Sequence, residues 1–328
     1  MVAVARKKDL SAAPLSEFSA DAIAGLSATP KRLQPKYFYD AEGSRLFEQI
    51  TETPEYYPTR CEMQALRSHA GDIAVLVPDG AALIEFGSGS SKKVRLLLAA
   101  EPALSVYVPV DISPEMLEQE TAAIRHDYPA LTVLPVAADF TVPFALPPEA
   151  VAAQQRVGFF PGSTIGNFEP YQAAHFLRNA ASILGRGSLM LIGVDLVKDP
   201  AILNAAYNDA GGVTARFNLN LLKRMNRELN ANFDLDSFEH HAFFNRARSR
   251  VEMHLASRKR QKVRVAGETF SFDMGESIHT ENSYKYSIQS FGALARGAGW
   301  SPLRSWTDDD GYFSIQAFTC APERAASA

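Results

Sequence analysis

Five apolar segments with similar spacing constrain the fold of this chain more than any other feature. They are rich in β-branched and aromatic residues, carry few charges and are separated by helical patterns. Runs of this kind are typical of strands that are buried on both faces of a mostly parallel sheet. The sequence therefore predicts a doubly wound α/β core with strands at residues 82–86, 105–111, 131–139, 156–162 and 188–196.

The alternation of apolar runs and helical patterns ends on both sides of this core. Residues 201–250 are mainly helical in pattern, 251–275 alternate like a small antiparallel sheet, and a helix and hairpin at 287–320 resume the core pattern. The arm and the insertion are expected to form a smaller α+β substrate-binding domain. We predict an N-terminal arm at 8–60, a core at 61–195, an insertion at 196–285 and the end of the core at 286–328.

Composition and charge argue against several classes of protein. The formal net charge of -4 lacks the basic excess of a nucleic-acid-binding protein. No apolar run is long enough to span a bilayer. The only cysteines, Cys61 and Cys320, predict neither a disulfide framework nor a zinc site, which fits a reducing cytoplasm. The seven histidines show no metal-ligand spacing, so no metal site is predicted. A monomer is expected, although no motif decides the oligomeric state.

The segment EFGSGSSKK follows the first predicted strand and indicates a nucleotide-like ligand. Gly87 and Gly89 allow a sharp turn and a close approach of the ligand to the backbone. A dinucleotide fingerprint needs a third glycine three positions after Gly89, and this chain has Lys92 there. The sequence therefore disfavours NAD and FAD. Lys93 is either a cofactor residue or a solvent-facing helix residue.

Acidic residues end the next two predicted strands. Asp111 can accept both ribose hydroxyl protons, or it can act as an N-cap for the helix that begins near Pro114. Asp139 and Phe140 can bind the adenine amine and ring, or they are a loop acid and a core ring. These spacings match class I methyltransferases, so S-adenosylmethionine is the predicted cofactor.

The loop PGSTIGN, residues 161–167, follows the fourth strand, where such enzymes place groups that face the transferred methyl. Gly162 is predicted to lie at the cofactor. Asn167 is a candidate substrate ligand and catalytic residue, or alternatively an Asx-turn residue.

Several long motifs in one order resemble the bacterial histidine-specific N-methyltransferases that make hercynine for ergothioneine biosynthesis. They span nearly the whole chain and comprise PKYFYDAEGSRLFEQIT, PEYYPTR, FGSGSSKK, VPVDIS, GSTIGNF and TENSYKY. The resemblance implies a class I, Rossmann-like methyltransferase fold. It also implies transfer of three methyl groups from S-adenosylmethionine to the α-amino nitrogen of L-histidine, with S-adenosylhomocysteine as the second product.

The same resemblance implies a set of substrate residues. Tyr56, Asn167 and Tyr207 would hold the carboxylate and amine, with Tyr39 of the arm nearby as a second catalytic candidate. Met253 would line the side-chain pocket, although an isolated methionine is more often core packing.

Glu281 and Ser283 of TENSYKY would bind the imidazole. One carboxylate acceptor and one adaptable hydroxyl suit the two ring nitrogens, and a spacing of two on a strand aims both side chains to one face. The effect of Asn282 and Tyr284, which flank Ser283, on acceptor selectivity is left open.

We expect catalysis mainly by positioning a neutral amine in line with the sulfonium methyl, with no covalent intermediate. The sequence does not identify the base. Three alternatives stay open at this point. They are methylation of another amino acid such as tryptophan or an indole derivative, a nicotinamide-dependent oxidoreductase, and a binding module without catalysis.

Overall fold

The computed structural model describes residues 16–100 and 103–320. Its α-helices are α1 (Glu17–Ser27), α2 (Ala41–Glu52), α3 (Tyr57–Ala74), α4 (Lys92–Leu98), α5 (Pro114–Asp127), α6 (Pro148–Ala152), α7 (Pro170–Leu184), α8 (Pro200–Ala206), α9 (Val213–Glu228) and α10 (Ile288–Gly297). Its strands are β1 (Ala82–Phe86), β2 (Val106–Asp111), β3 (Thr132–Val133), β4 (Val136–Ala137), β5 (Arg156–Phe160), β6 (Leu189–Asp195), β7 (Phe238–Asn245), β8 (Arg250–Ser257), β9 (Gln261–Val265), β10 (Glu268–Phe272), β11 (Ser277–Tyr284), β12 (Trp300–Thr307) and β13 (Phe313–Cys320).

The largest sheet has the strand order β12-β13-β6-β5-β1-β2-β3, with β4 also paired to β2. The pairs from β3 and β4 through β6 are parallel, and β13 is antiparallel to both β6 and β12. The predicted α/β class and doubly wound, mostly parallel core are therefore confirmed.

The third predicted strand, 131–139, is present as the two short strands β3 and β4. Pro135 lies between them and has no N–H to donate to the ladder. The flanking residues still pair with β2, because Leu134 N donates to the Tyr107 carbonyl and Ala138 N to the Asp111 carbonyl, both at 2.9 Å.

Helix α7 covers one face of the sheet with an apolar stripe. Its buried residues recur with helical spacing and join one core cluster with β1, β2, β5 and β6, and they are Ala173, Phe176, Leu177, Ala180 and Leu184. Burying a leucine or phenylalanine side chain of this kind stabilises the fold by about 1.5–3 kcal/mol. The stripe therefore holds the start of α7, and the loop before it, firmly on the sheet.

The hairpin predicted at the end of the core is present as β12 and β13. Gly311 adopts a φ of 67°, which favours glycine, and Asp308 Oδ1 accepts from the Phe313 N–H at 2.6 Å. The turn chemistry of this acidic segment thus fixes the register of the antiparallel pair.

The insertion differs in one respect from its predicted pattern. Residues 238–245 of the mainly helical stretch form strand β7, which belongs to a three-stranded sheet of order β11-β8-β7. The sequence FEHHAFFN is rich in aromatic residues, which favour strands. The alternating stretch 251–275 forms β8, β9 and β10, and β9 and β10 pair antiparallel.

By its internal contacts the chain divides into two compact units. The first contains the described residues up to 46 together with 215–241 and 253–281, and the second contains 47–214, 242–252 and those from 282 onward. The four-part functional division remains a prediction. Among the helices that the structure describes, none has the length and apolarity needed to cross a membrane.

Candidate active site

The second unit contains most of the predicted site residues. Tyr39, Met253 and Glu281 belong to the first unit, and the remaining predicted residues belong to the second. The roles of these residues remain predictions.

The segment after β1, residues 86–91, forms a tight turn that we call the glycine turn. The N–H groups of Gly87 and Ser88 donate to the Val110 carbonyl at 2.8 and 3.1 Å, and Gly87 has a φ of 73°. A Cβ on Gly87 would lie 3.2 Å from the Phe140 ring. The positive φ favours glycine here, and a side chain would also press on the Phe140 ring. The turn thus brings two predicted cofactor residues, Gly87 and Phe140, together.

Asp111 lies at the carboxyl end of β2. Its Oδ1 accepts from the Ser113 N–H at 3.0 Å, and the Gly89 N–H also contacts the carboxylate. Burial raises the pKa of Asp111, although the surrounding N–H groups oppose this shift. The bond to Ser113 is the local contact expected of a cap, whereas the contact with Gly89 places the carboxylate at the glycine turn.

The contacts of Asp139 and Phe140 match the interpretation of the pair as a loop acid and a core ring. Asp139 is exposed, and its Oδ1 accepts from the N–H and the hydroxyl of Thr141 at 2.8 and 2.6 Å. The Phe140 ring packs edge-on against Phe160 and Phe176, with centroids 5.5 and 6.0 Å apart. Phe140 nevertheless reaches the glycine turn, so adenine contact stays a prediction for both residues.

Lys93 has a specific partner on α3. Its Nζ lies 2.6 Å from Oε2 of Glu62, whose side chain is 1% exposed, and Glu62 Oε1 accepts from the Gly162 N–H at 2.6 Å. A Cβ on Gly162 would lie 3.2 Å from Lys93 Nζ. The structure thus brings Lys93 and Gly162 together through an acid that sequence reasoning missed.

A second buried acid, Glu85, precedes the glycine turn on β1. The Tyr107 hydroxyl donates to its carboxylate. Burial raises the pKa of Glu85 to about 8. A neutral Glu85 therefore fits the apolar interior of the sheet at neutral pH.

Asn167 ends a short 3₁₀ helix, Thr164–Asn167, in the PGSTIGN loop. The preceding Ser163 adopts a left-handed φ of 53°, and its Oγ accepts from the Asp195 N–H at 2.9 Å. A Cβ on Gly166 would lie 2.8 Å from the Tyr284 carbonyl oxygen. The loop that carries Asn167 is therefore held against both β6 and the end of β11.

Tyr207 and Ser283, two predicted substrate residues, are in direct contact. The Tyr207 hydroxyl donates to Ser283 Oγ at 2.7 Å. Lys285 Nζ donates to Ser283 Oγ at 2.8 Å and to the Tyr207 hydroxyl at 3.2 Å. The same ammonium lies 2.7 Å from Asp195 Oδ2.

Two further groups complete this buried cluster. The Tyr57 hydroxyl donates to Asp195 at 2.8 Å, and Lys198 donates to Asp195 and, at 2.7 Å, to Tyr57. We call the cluster the Ser283 network, and its members are Tyr57, Asp195, Lys198, Tyr207, Ser283 and Lys285.

The electrostatics of the Ser283 network centre on Asp195. Burial alone would raise the pKa of its carboxyl, but the ammonium groups of Lys285 and Lys198 hold that pKa below its usual value. Burial lowers the pKa of Lys198 to about 8 against the attraction of Asp195. The cluster therefore keeps an ion pair inside the protein.

The other face of β11 is braced separately. Tyr284 OH and Asn282 Nδ2 donate to Glu169 at 2.6 and 3.1 Å, and Arg250 lies 2.7 Å from the same carboxylate. Arg250 also lies 2.7 Å from Glu252. The two residues that flank Ser283 thus contact the segment that leads into α7.

Tyr56 stands beside this cluster at the start of α3. Its ring centroid lies 6.2 Å from that of Tyr207 and 6.3 Å from that of Phe47, with edge-to-face geometry in both pairs. Tyr56 therefore packs between the rings of Tyr207 and Phe47.

The first unit holds the other three predicted substrate residues. Tyr39 is 45% exposed and packs edge-on against Phe217, 5.9 Å between centroids. The Met253 side chain is buried, and its carbonyl accepts from Thr280 Oγ1 at 3.1 Å. The Glu281 carbonyl accepts from His279 Nε2 at 3.0 Å.

Sequence reasoning missed several charged residues around the site, namely Glu62, Glu85, Glu169, Asp195, Lys198, Arg250 and Lys285. Two of them carry a recognisable signal. Asp195 ends a parallel strand, where α/β proteins place ligand-binding groups, and Lys285 continues the two-residue spacing of Glu281 and Ser283.

Comparisons with known proteins show which family this chain belongs to. A family model for histidine-specific, S-adenosylmethionine-dependent methyltransferases matches residues 18–320. The histidine N-alpha-methyltransferases of Mycobacterium tuberculosis and Mycolicibacterium smegmatis are 43% and 44% identical over 300 residues, each covering 90% of this chain and 92% of the relative. Ergothioneine biosynthesis protein 1 of Neurospora crassa is 32% identical over 302 residues, which cover 86% of this chain and 32% of that protein.

These findings confirm the resemblance drawn from the motifs, the enzyme class, the cofactor and the class I fold, and they exclude the nicotinamide-dependent alternative. The chain belongs to the family of histidine-specific, S-adenosylmethionine-dependent methyltransferases.

Proposed function

We propose that this enzyme methylates the α-amino nitrogen of L-histidine three times and so makes hercynine for ergothioneine biosynthesis. The family model supports S-adenosylmethionine as the donor. The two mycobacterial relatives support histidine as the acceptor, and the Neurospora relative supports the pathway.

One observation of the structure carries this proposal. The PGSTIGN loop lies against Lys93 through Gly162 and against the Tyr284 backbone through Gly166. A single short loop therefore contacts both Lys93, at the start of the helix that follows the glycine turn, and the strand segment that holds Ser283. A methyl transfer needs a donor and an acceptor held a few ångströms apart, and this loop provides such a connection.

The residues at the glycine turn fit a nucleotide-like sulfonium cofactor. Gly87 has a φ of 73° and no side chain, so a ligand can approach the backbone closely here. In the proposed arrangement Asp111 accepts the ribose hydroxyls, Asp139 and Phe140 contact the adenine, and the remaining contacts come from Gly87, Gly89, Lys93 and Gly162. When bound, S-adenosylmethionine supplies an electrophilic methyl group.

The acceptor residues have complementary chemistry. Tyr56, Asn167 and Tyr207 would bind the carboxylate and amine of histidine, while Glu281 and Ser283 would bind its imidazole. Met253 would line the side-chain pocket. The hydrogen bond between Tyr207 and Ser283 supports this assignment, because it places two of the proposed ligands 2.7 Å apart.

The protein's own residues act mainly by orientation. Asn167 and Tyr39 would direct the lone pair of the neutral amine toward the methyl group, since an ammonium has no lone pair with which to attack. Each transfer replaces an N–H donor with a methyl group. Aromatic faces such as those of Tyr56 and Phe47 can stabilise the resulting trimethylammonium cation.

Mass spectrometry of L-histidine incubated with the enzyme and S-adenosylmethionine tests the proposal directly. We expect a product carrying three methyl groups on the α-nitrogen. Tryptophan and an indole derivative serve as matched acceptors, and trimethylation of either one in place of histidine would contradict the proposal. Donor binding with no methyl transfer to any amino acid would instead support the binding-module alternative.

We also propose a reducing cytoplasm and a monomeric state for the enzyme. The two cysteines support the first point, because both are buried free thiols. Size-exclusion chromatography with light scattering tests the second.

A further inference from the structure

We infer that Lys285 is a positioning residue that makes Ser283 a hydrogen-bond donor to the acceptor, so that the enzyme selects a ring with an unprotonated nitrogen. This inference rests on the proposed function, because it assumes that Ser283 meets the imidazole. It extends that function by naming the ring form that binds.

The hydrogen bonds around Ser283 fix the direction of its hydroxyl. A serine hydroxyl has one proton to donate and two lone pairs that accept. Lys285 donates to Ser283 Oγ at 2.8 Å, and an ammonium can only donate. The Tyr207 hydroxyl lies 2.7 Å from the same oxygen. A phenolic O–H is more acidic than an alkyl O–H, so tyrosine is the donor in that pair. Both lone pairs of Ser283 are therefore occupied, and its proton is left for the ligand.

Lys285 remains a cation inside the protein. Burial opposes its charge, but the Asp195 carboxylate at 2.7 Å outweighs burial, and the pKa of Lys285 is raised. Its three donor protons therefore persist across the physiological pH range.

The other charged and titratable groups around Ser283 come from several elements. Glu281 lies two residues earlier on β11. Asp195 ends β6, Lys198 follows β6, Tyr207 follows α8 and Tyr57 begins α3, while Glu169 and Arg250 contact Tyr284 on the opposite face of the strand. Of the groups in the Ser283 network, Lys285 and Tyr207 contact the Ser283 hydroxyl.

A Ser283 donor has consequences for selectivity. A neutral imidazole has one ring nitrogen with a lone pair and one N–H, so it can accept from Ser283 and donate to Glu281. An imidazolium has two N–H groups and an indole has one N–H with no lone pair, so neither can accept from Ser283. Glu281 alone would favour the imidazolium, and the positive charge of Lys285 opposes it.

The first test uses the wild-type, full-length protein bound to S-adenosylhomocysteine. We expect calorimetric affinity for L-histidine to fall as the pH drops below the ring pKa of about 6.5, approaching tenfold per pH unit. 2-Fluoro-L-histidine, whose ring stays neutral over this range, should keep a constant affinity from pH 5 to 8. A histidine affinity that is equal or higher at pH 5.5 than at pH 7.5, or a parallel loss for the fluorinated probe, would overturn the inference.

The second test compares substitutions of Lys285 and Lys198, whose ammonium groups both contact Asp195. Lys285→Met should raise the KM for histidine about tenfold at pH 7.5, the usual effect of losing one charged hydrogen bond, and should flatten the pH dependence of KM. Lys285→Gln keeps an N–H donor and should recover part of the loss. Lys198→Met, the matched control, removes the other ammonium from Asp195 and should keep the wild-type pH profile of KM.

The outcomes separate this inference from the proposed function. A folded Lys285→Met enzyme with wild-type KM and pH profile refutes the role of Lys285 but leaves histidine methylation intact. Failure of the wild-type enzyme to bind or methylate histidine at pH 7.5 refutes the proposed function itself. If Lys285→Met does not fold, the wild-type pH titration with the two ring probes still decides the inference.

Discussion

The glycine turn and the Ser283 network differ in the chemical groups that form them, which are mainly backbone groups in the first and side chains in the second. The glycine turn uses backbone N–H groups and two glycines, and the carboxylate of Asp111 contacts it from the end of β2. The Ser283 network uses six side chains that come from sequence positions between 57 and 285. The first offers a close approach to the backbone, whereas the second offers donors and acceptors in fixed positions.

This difference indicates which part of the molecule is sensitive to substitution and which part determines the choice of acceptor. Backbone groups keep their positions when a neighbouring side chain changes, so the glycine turn tolerates substitution outside its glycines. A buried ion pair depends on every member, because removal of one partner leaves an uncompensated charge. We therefore expect substitutions in the network to lower stability, and substitutions of the members that contact Ser283 to alter acceptor choice as well.

Removal of Asp195 should cause the largest loss of stability among the substitutions in these two regions. Asp195→Ala leaves the ammonium groups of Lys198 and Lys285 without their shared carboxylate, and the free energy of unfolding should fall by about 3–5 kcal/mol. Urea denaturation measures the change. Asp139→Ala, the control near the glycine turn, removes an exposed carboxylate and should cost no more than about 1 kcal/mol. Equal losses in the two variants would contradict the distinction.

Glu85 offers a pH-dependent test on the glycine-turn side. Its folded-state pKa of about 8 exceeds the ordinary value of 4.5. Protonated Glu85 therefore stabilises the folded state. This contribution is fully present below pH 4.5 and is lost as the pH rises through 8. Glu85→Gln cannot ionise, so its stability relative to wild type should increase by about 3 kcal/mol between pH 5 and pH 8.

Thermal or urea unfolding of both proteins across this pH range measures the Glu85 effect. Glu149→Gln alters an exposed carboxyl and serves as the control. A constant stability difference between Glu85→Gln and wild type would show that Glu85 ionises normally.

Glu281 tests the acceptor side without touching the ion pair. Glu281→Ala should lower kcat/KM for histidine about 100-fold, the effect of losing a charged hydrogen bond to the imidazole. Calorimetric affinity for S-adenosylhomocysteine should stay within about twofold, since no cofactor contact is proposed for Glu281. A large loss of cofactor affinity with unchanged histidine binding would place Glu281 elsewhere.

Asp111 provides the reciprocal experiment. Asp111→Ala should weaken S-adenosylhomocysteine binding about tenfold to thirtyfold, because one or two hydrogen bonds to the ribose would be lost. The affinity of the cofactor-free enzyme for histidine should change little. Calorimetry with S-adenosylhomocysteine measures the effect, and an unchanged affinity would leave Asp111 with only its capping contact to Ser113.

Much of the fold was predictable because its signals are local. Apolar runs located the strands of the main sheet, and the acidic turn before β13 located the final hairpin. The errors have local causes as well. Pro135 interrupts the third strand, and the aromatic segment FEHHAFFN forms β7 within a region that is otherwise mainly helical in pattern.

The predicted site is more complete at the glycine turn than at Ser283. The turn and its strand-end acid follow from adjacent residues, so periodicity and spacing suffice to find them. The link between Asp195 and Lys285 joins positions 90 residues apart, and no local pattern reports such a pairing. The contacts of Asn282 and Tyr284 could not be predicted either, because their partner Glu169 is more than 110 residues away in the sequence.

The alternation of β11 also bears on enzyme engineering. Its even positions, Asn282 and Tyr284, anchor the strand to Glu169, while the odd positions carry the proposed imidazole ligands. A library that varies only positions 281 and 283 leaves that anchorage untouched. Such a library would vary the proposed imidazole ligands while keeping the hydrogen bonds that tie β11 to Glu169.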